Sequence, residues 1–283
     1  MNNQKLLLSI LAVLVGITIV LGVVLVVLEV SDGKPDETRE PTVSDTPETS
    51  EPQPEMPSPI FKSNLEEYEK YMDVTDEKYL VVVNKKSTLD RSYKPEKLVP
   101  VKDTHKDIEL SETAEKALEA MFIEMRKEGF KNIFVTSAYR SYDYQNHLFY
   151  NVYIPQEQAT GLSYEKAKEK VLTYSALPGT SEHHTGLCVD LMTSSMTELD
   201  ESFADDPVYP WLLENAWKFG FVLRYPADKV DTTGYSFEPW HYRFVGRYHA
   251  YRMYTSGLCL EEYTAENNLS DIRIYTKESK KEG

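Results

Sequence analysis

The sequence predicts a single globular α+β domain, a small antiparallel sheet flanked by helices, preceded by a transmembrane helix and a disordered stalk. Between residues 61 and 275, strand-like and helix-like segments are mixed without the regular alternation of a parallel sheet. Residues 6–28 form an uncharged apolar run, and residues 31–60 are dominated by Pro, Glu, Asp, Ser and Thr. These observations separate an anchor, a linker and one folded unit.

Residues 1–30 are predicted to form a cytoplasmic N-terminus and a transmembrane signal anchor. A helix needs roughly 20 apolar residues to cross the hydrocarbon core of a bilayer, and residues 6–28 meet that need. A cleaved signal peptide is the alternative, but its apolar region is about 7–15 residues long. Lys5 precedes the run and acidic residues follow it, so the positive-inside tendency places the domain outside the cytoplasm. We expect a single-pass protein of the cell membrane with an extracellular domain.

Residues 31–60 are predicted to form an acidic, disordered linker, because such a composition buries too little apolar surface to offset its chain entropy. The composition then becomes globular, which predicts one folded domain over residues 61–275. Residues 276–283 are polar and charged and predict a disordered tail. The linker would hold the domain away from the membrane.

Local patterns predict the elements of the domain. The clearest helix covers 111–129, since Ser111 and Gly129 suit its two ends and its apolar residues share one face. That face contains Ala114, Leu118, Met121, Phe122 and Met125. Apolar and β-branched runs predict strands at 79–84, 132–137, 187–191 and 221–225. Further helices are predicted at 141–153, 163–174, 209–220, 246–255 and 260–267.

The charge of the chain limits its partners. A formal net charge of −15 argues against a nucleic-acid partner, because phosphate-binding surfaces need clustered Lys and Arg. We expect no nucleic acid, a membrane contact through the N-terminal helix, and a monomer.

The stretch PGTSEHHTGLCVDLM concentrates groups that suit a metal. Strand alternation over 187–191 places Cys188 and Asp190 on the face opposite the apolar residues. The preceding loop could bring a histidine to Asp190, and a catalytic zinc site needs one more protein ligand. His241 in EPWHYRFVG offers that ligand if the chain turns at Pro239. Glu238 would then lie nearby as a base.

These blocks resemble the VanY-like zinc D-alanyl-D-alanine carboxypeptidases and the related LD-carboxypeptidases of peptidoglycan, with their Hedgehog/DD-peptidase-like fold. The family pattern Ser-x-His-x-x-Gly-x-Ala-x-Asp, then Glu-x-x-His, fits SEHHTGLCVD and EPWH. SAYRSYDYQ is similar to the family's Tyr-Arg-Ser block. The matching residues are Arg140, Gln145, Ser181, His183, Gly186, Asp190, Glu238 and His241.

The resemblance implies a zinc ion bound by His183, Asp190 and His241, with Glu238 as general base. It also implies a catalytic role for Arg140, whose guanidinium would bind either the substrate carboxylate or the developing oxyanion. Substrate-binding roles fall on Arg140, Gln145, Ser181, Ser137, Tyr139 and Trp240. The substrate would be a peptidoglycan stem peptide that loses its terminal D-alanine, with D,D or L,D specificity left open.

Three residues of the motif have alternative interpretations. His184 adjoins the ligand, but the spacing of the motif favours His183. Asp190 alone would suggest a structural aspartate. Cys188 stands where the family has alanine, and we interpret it as a small buried thiol; a disulfide with Cys259 or a thiolate near the metal are the alternatives.

Two other functions compete with a membrane-anchored carboxypeptidase. A non-catalytic cell-wall binding domain would keep the fold but lose Glu238 or a ligand, and all of these residues are present. An endopeptidase or dipeptidase would differ in the loops that close the cleft.

Overall fold

The computed structural model describes residues 65–95 and 97–269. The predicted membrane anchor, acidic linker and polar tail lie outside these residues and stay predictions. Within the described part of the chain, no helix is both long enough and apolar enough to cross a bilayer.

The described residues form an α+β fold with two antiparallel sheets, as the mixed sequence pattern predicted. A hairpin pairs β1 with β2, and a four-stranded sheet has the order β3-β4-β6-β5. The strands are β1 Leu98–Pro100, β2 Glu109–Ser111, β3 Ile133–Ser137, β4 Cys188–Thr193, β5 Phe221–Leu223 and β6 His241–Phe244. Strands β4 and β6 are central in the larger sheet.

Helices surround this sheet. The α-helices are α1 Glu66–Met72, α2 Glu112–Lys127, α3 Tyr142–His147, α4 Ile154–Ala159, α5 Tyr164–Val171, α6 Val208–Asn215, α7 Val230–Thr233, α8 Arg247–Ser256 and α9 Leu260–Glu266. A π-helix, Leu148–Tyr153, joins α3 to α4. Short 3₁₀ helices cover Glu77–Leu80, Glu182–Thr185, Glu201–Asp205, Ala216–Phe219 and Ala227–Lys229. The helix predicted over 209–220 therefore has two parts, and Gly220 ends the second with a φ of 85°.

The main core lies between α2 and one face of the larger sheet. All five apolar residues predicted for the buried face of α2 are in it. Val189 and Leu191 of β4 join them, together with Leu187 directly before the strand. Because side chains alternate along a strand, Cys188 and Asp190 project from the opposite face, as predicted. The apolar face of β4 thus holds the strand against the core, and its opposite face carries the polar side chains.

Strand pairing brings two motif residues into register. Asp190 of β4 is opposite His241 of β6, and Val189 is opposite Tyr242. On the other side of β4, the pairing with β3 shifts between Val135 and Ser137, which places Ser137 opposite Asp190. Such an irregularity redirects the end of a strand. The sheet thus presents Asp190 between two neighbouring strands.

The prediction of a strand at 79–84 is wrong. The segment begins as the end of a 3₁₀ helix, Glu77–Leu80, and no strand follows it. Its apolar side chains are buried except for the half-buried Val82, but its backbone has a different partner. Arg243 donates from Nη2 to the carbonyls of Tyr79 and Val81, at 2.8 and 3.0 Å. The apolar run predicted burial correctly and the backbone pairing incorrectly.

Candidate metal centre

Two histidines and an aspartate meet at the centre of the sheet. His183 Nε2 lies 3.2 Å from Asp190 Oδ2, and His241 Nδ1 lies 3.0 Å from Asp190 Oδ1. All three side chains are buried. The three ligands predicted from the sequence are therefore brought together.

The loop before β4 positions His183. The 3₁₀ helix Glu182–Thr185 ends at Gly186, whose φ of 65° is left-handed. A Cβ on Gly186 would lie 3.0 Å from Pro95 Cγ and 3.2 Å from Leu98 Cδ2, so glycine suits both the backbone and the space. His183 Nδ1 donates to the Ala138 carbonyl at 2.6 Å. That hydrogen bond occupies Nδ1, so Nε2 is the ring nitrogen that faces the aspartate and is available to a metal.

A turn before β6 positions His241. The His241 amide donates to the Glu238 carbonyl at 3.1 Å, which closes the turn over Pro239 and Trp240 that the sequence required. The strand then begins at His241. Its Nε2 faces Glu182 Oε2 at 3.2 Å, so Nδ1 is the nitrogen that faces Asp190.

This arrangement fits a cation. Apart from its 3.0 Å contact with His241 Nδ1, the buried Asp190 Oδ1 has no hydrogen-bond partner among the described residues, although buried carboxylate oxygens are normally satisfied. Although burial and the Arg140 charge oppose protonation, Asp190 raises the pKa of His183 to about 9. The carboxylate thus favours positive charge between the two rings. Two imidazoles and one carboxylate form a common zinc donor set with room for a further ligand.

Glu238 lies at the edge of this cluster. Its Oε2 is 3.5 Å from His241 Nδ1, and its side chain is 22% exposed. Burial raises the pKa of Glu238, and the Asp190 charge raises it further. A pKa shifted upward in this way suits a carboxyl group to proton transfer at a metal centre.

Arg140 adds a positive charge beside the three donors. Its Nη2 is 3.9 Å from Asp190 Oδ2, and its Nη1 donates to Gln145 Oε1 at 2.9 Å. Gln145 is fully buried, and its amide nitrogen donates to Ser175 Oγ and to the Ala176 carbonyl. The amide group of Gln145 is therefore hydrogen-bonded to protein groups, Arg140 among them. Its predicted contact with substrate stays a prediction.

The other predicted substrate residues differ in their surroundings. Ser181 is buried at the start of the 3₁₀ helix that carries His183. Ser137 and Tyr139 are half-buried near the end of β3, and Ser137 pairs with Asp190. Trp240 packs against the main core, which favours a structural role over the predicted contact with substrate.

His184 faces away from the metal donors. Its Nδ1 donates to the Arg140 carbonyl at 2.6 Å, and its Nε2 accepts from the Gly179 amide at 3.0 Å. Both ring nitrogens are thus used, which agrees with the choice of His183 as the ligand.

The disulfide alternative is wrong, because Cys188 and Cys259 are both free and buried. Cys259 caps α9 and forms a capping box with Glu262. Cys188 lies among the metal donors: its Sγ and one ring nitrogen each of His183 and His241 are within 4.8 Å of one another. The thiol is therefore close to the two predicted histidine ligands, and the alternative of a thiolate near the metal stays open.

Sequence reasoning missed a buried ionic network behind His241. Glu182 accepts from Arg224 Nε at 2.7 Å and from Arg243 Nη1 at 2.5 Å. Although burial opposes its ionisation, these two arginines hold the pKa of Glu182 well below its usual range. The available signal was a charged residue inside the motif and an arginine in each of two apolar strand segments.

Comparisons with known proteins agree with this geometry. A model of the VanY family, D-alanyl-D-alanine carboxypeptidases, matches residues 107–247. YodJ, a candidate carboxypeptidase of Bacillus subtilis strain 168, is 38% identical over 195 residues, which cover 66% of this chain and 67% of YodJ.

Solved structures are similar as well. The vancomycin-resistance D,D-pentapeptidase VanY of a VanB-type cassette, in complex with Zn(II), is 34% identical with a TM-score of 0.55; the match covers 66% of this chain and 98% of that one. The LdcB LD-carboxypeptidase is 35% identical with a TM-score of 0.58, and the match covers 68% of this chain and 89% of that one.

Proposed function

The chain belongs to the VanY family of D-alanyl-D-alanine carboxypeptidases, and we propose that it removes the terminal D-alanine from peptidoglycan stem peptides at the centre formed by His183, Asp190 and His241. It is a zinc-dependent carboxypeptidase that acts on peptidoglycan peptides.

The observation that carries the residue assignment is the convergence of two imidazoles on one buried carboxylate. His183 would bind the metal through Nε2 and His241 through Nδ1, since their other nitrogens face Ala138 and Glu182. Zinc held there supplies a Lewis acid and lowers the pKa of a water from 15.7 toward about 7.

Glu238 is the general base in this proposal. Its carboxylate takes the proton of the attacking water and passes it to the departing D-alanine nitrogen as the peptide bond breaks. Burial raises the pKa of Glu238 above its ordinary value, in the direction that favours the protonated form used in the second transfer. Its position 3.5 Å from a metal-ligating ring supports the assignment.

Arg140 stabilises the oxyanion in this proposal. The guanidinium is 3.9 Å from the carboxylate of Asp190, so it would lie beside a scissile carbonyl polarised by a metal at this site. Its charge is permanent and its donors are planar, so it can meet negative charge as that charge develops. Gln145 fixes the orientation of the guanidinium through Nη1.

Mass spectrometry of product release tests this function. The purified full-length chain, in detergent, would be incubated with muropeptides that end in L-Lys-D-Ala-D-Ala or in L-Lys-D-Ala. Loss of one alanine that a chelator abolishes and zinc restores is the expected result, and the substrate that reacts identifies the bond. No release from either peptide, with zinc bound, would contradict the proposal.

The same proposal places the enzyme on the outer side of the cell membrane, held by residues 6–28 and extended by the linker 31–60. The apolar run and the position of the peptidoglycan substrate support this placement. Protease added to intact cells should degrade the domain, while the membrane fraction retains the N-terminus. A monomer is also proposed, and light scattering coupled to size exclusion would measure it.

A further inference from the structure

We infer that Glu182 is a positioning residue, which orients the His241 ring and keeps the proton on its Nε2 so that Nδ1 faces the metal. The inference rests on the proposed metal centre. Glu182 would thus act through His241 and would not bind the metal itself.

The contact itself is direct. Glu182 Oε2 lies 3.2 Å from His241 Nε2, and both side chains are buried, at 0% and 3% exposure. A histidine ligand is oriented by the partner of its other nitrogen, and this partner also fixes which nitrogen carries the proton. Here that partner is a carboxylate, which accepts only.

The carboxylate is itself immobile. Its Oε1 accepts from Arg224 Nε and from Arg243 Nη1, so its second oxygen is fixed toward His241. Arg224 also donates to both carboxylate oxygens of Glu261, at 2.7 and 2.8 Å. Arg243 donates from Nη2 to two backbone carbonyls. Every group around Glu182 is therefore held by further contacts.

The charges of this network balance. Two guanidinium groups, from Arg224 and Arg243, face two carboxylates, from Glu182 and Glu261. Removing the charge of Glu182 would leave an excess positive charge one contact away from a cation site. Both the lost orientation and the repulsion would weaken zinc binding.

The two histidine ligands are supported differently. His183 donates from Nδ1 to a neutral backbone carbonyl, whereas His241 donates from Nε2 to a carboxylate. A charge-assisted hydrogen bond is roughly twice as strong as a neutral one. The support of His241 thus depends on one side chain and can be removed by mutation.

Glu182→Gln tests the inference, and Glu261→Gln is its matched control. Both variants remove a carboxylate from Arg224, but Glu261 makes no contact with His241 among the described residues. Zinc affinity of the full-length chain would be measured by competition with a chromophoric chelator. We expect a loss of about 10–100-fold for Glu182→Gln and less than about threefold for Glu261→Gln.

Two results would overturn the inference: wild-type zinc affinity in folded Glu182→Gln, or an equal loss in both variants. Circular dichroism would report folding. If Glu182→Gln does not fold, nitrogen NMR of ¹⁵N-histidine wild-type protein decides the question. It should show His241 coordinated through Nδ1 with its proton on Nε2, and coordination through Nε2 would exclude the assignment. Zinc bound in this way without D-alanine release would contradict the proposed function and leave the inference standing.

Discussion

Arg140 donates from Nη1 to Gln145 Oε1 at 2.9 Å, while its Nη2 lies 3.9 Å from the carboxylate of Asp190. The buried amide of Gln145 thus directs a guanidinium toward the metal donors. A planar side chain held at one end has few orientations left, so Gln145 determines where the positive charge of Arg140 lies.

Gln145→Leu should lower kcat by about 10–100-fold, because a displacement of about 1 Å at a catalytic group is enough for that effect. Steady-state kinetics on a stem peptide would measure it, at a temperature where the variant is folded. Gln158→Leu is the control, since Gln158 is exposed on α4. An increase in KM at constant kcat would instead place Gln145 in contact with the substrate.

Arg140→Lys should lower kcat by about 10²–10³-fold with little change in KM. Lysine keeps the charge but loses the planar donors, and the loss of one oxyanion donor costs that much. The ratio of kcat to KM effects separates the two possible roles. A large rise in KM alone would assign Arg140 to the substrate carboxylate.

Glu238→Gln should reduce kcat by about 10²–10⁴-fold, because the amide cannot accept the proton of the water. Zinc content should stay at the wild-type level, since the three metal donors are unchanged. Kinetics and metal analysis on the same sample check both statements. Wild-type turnover in this variant would exclude Glu238 as the base.

His184 should make stability depend on pH. Burial lowers the pKa of His184 from its ordinary value of 6.5 to about 4, and its Nε2 accepts from the Gly179 amide only while the ring is neutral. As the pH falls through 6.5 the unfolded chain binds this proton first, so stability is complete above pH 6.5 and is lost progressively toward pH 4.

His184→Gln should remove on the order of 3 kcal/mol of that pH dependence, since one pKa unit is about 1.4 kcal/mol. Urea unfolding of metal-free protein at pH 7 and pH 4.5 would measure the difference. His147→Gln is the control, because His147 is exposed. If the free energy of unfolding changes equally between pH 7 and pH 4.5 in wild type and in His184→Gln, then His184 does not titrate in this range.

Cys188→Ala should keep zinc binding and activity within about threefold of wild type. His183, Asp190 and His241 form a complete set of three ligands without the thiol, and alanine is the residue of the family pattern at this position. The absorption spectrum of the cobalt-substituted protein would check this prediction, with Cys259→Ala as the control. A sulfur-to-cobalt charge-transfer band that is present in wild type and Cys259→Ala but absent in Cys188→Ala would show that Cys188 is a ligand and contradict the prediction.

The site was largely predictable from the sequence because its signals are local. The alternation of 187–191 separated Asp190 from the core residues, and Pro239 required the turn that brings Glu238 and His241 to one side. These features depend on the pleat of a strand and the fixed φ of proline. The spacing of the motif also distinguished His183 from His184.

The network behind the site was not predictable by the same means. Glu182 meets Arg224 and Arg243, which are 42 and 61 residues away along the chain. Ion pairs at such separations leave no periodic pattern. The prediction of a strand at 79–84 was wrong for a related reason. The apolar residues indicate burial, but the distant Arg243 binds two of the carbonyls that a neighbouring strand would have used.

The arginine contacts of Glu182 also determine how short this enzyme can be. The residues that match the family model end at 247 and begin at 107, yet Arg243 depends on carbonyls at Tyr79 and Val81, and Arg224 on Glu261. A chain trimmed to the matched residues would leave two buried cations short of acceptors, at a cost of several kcal/mol. The smallest autonomous folding unit is therefore wider than the conspicuous motifs, and its boundaries are set by the partners of two arginines.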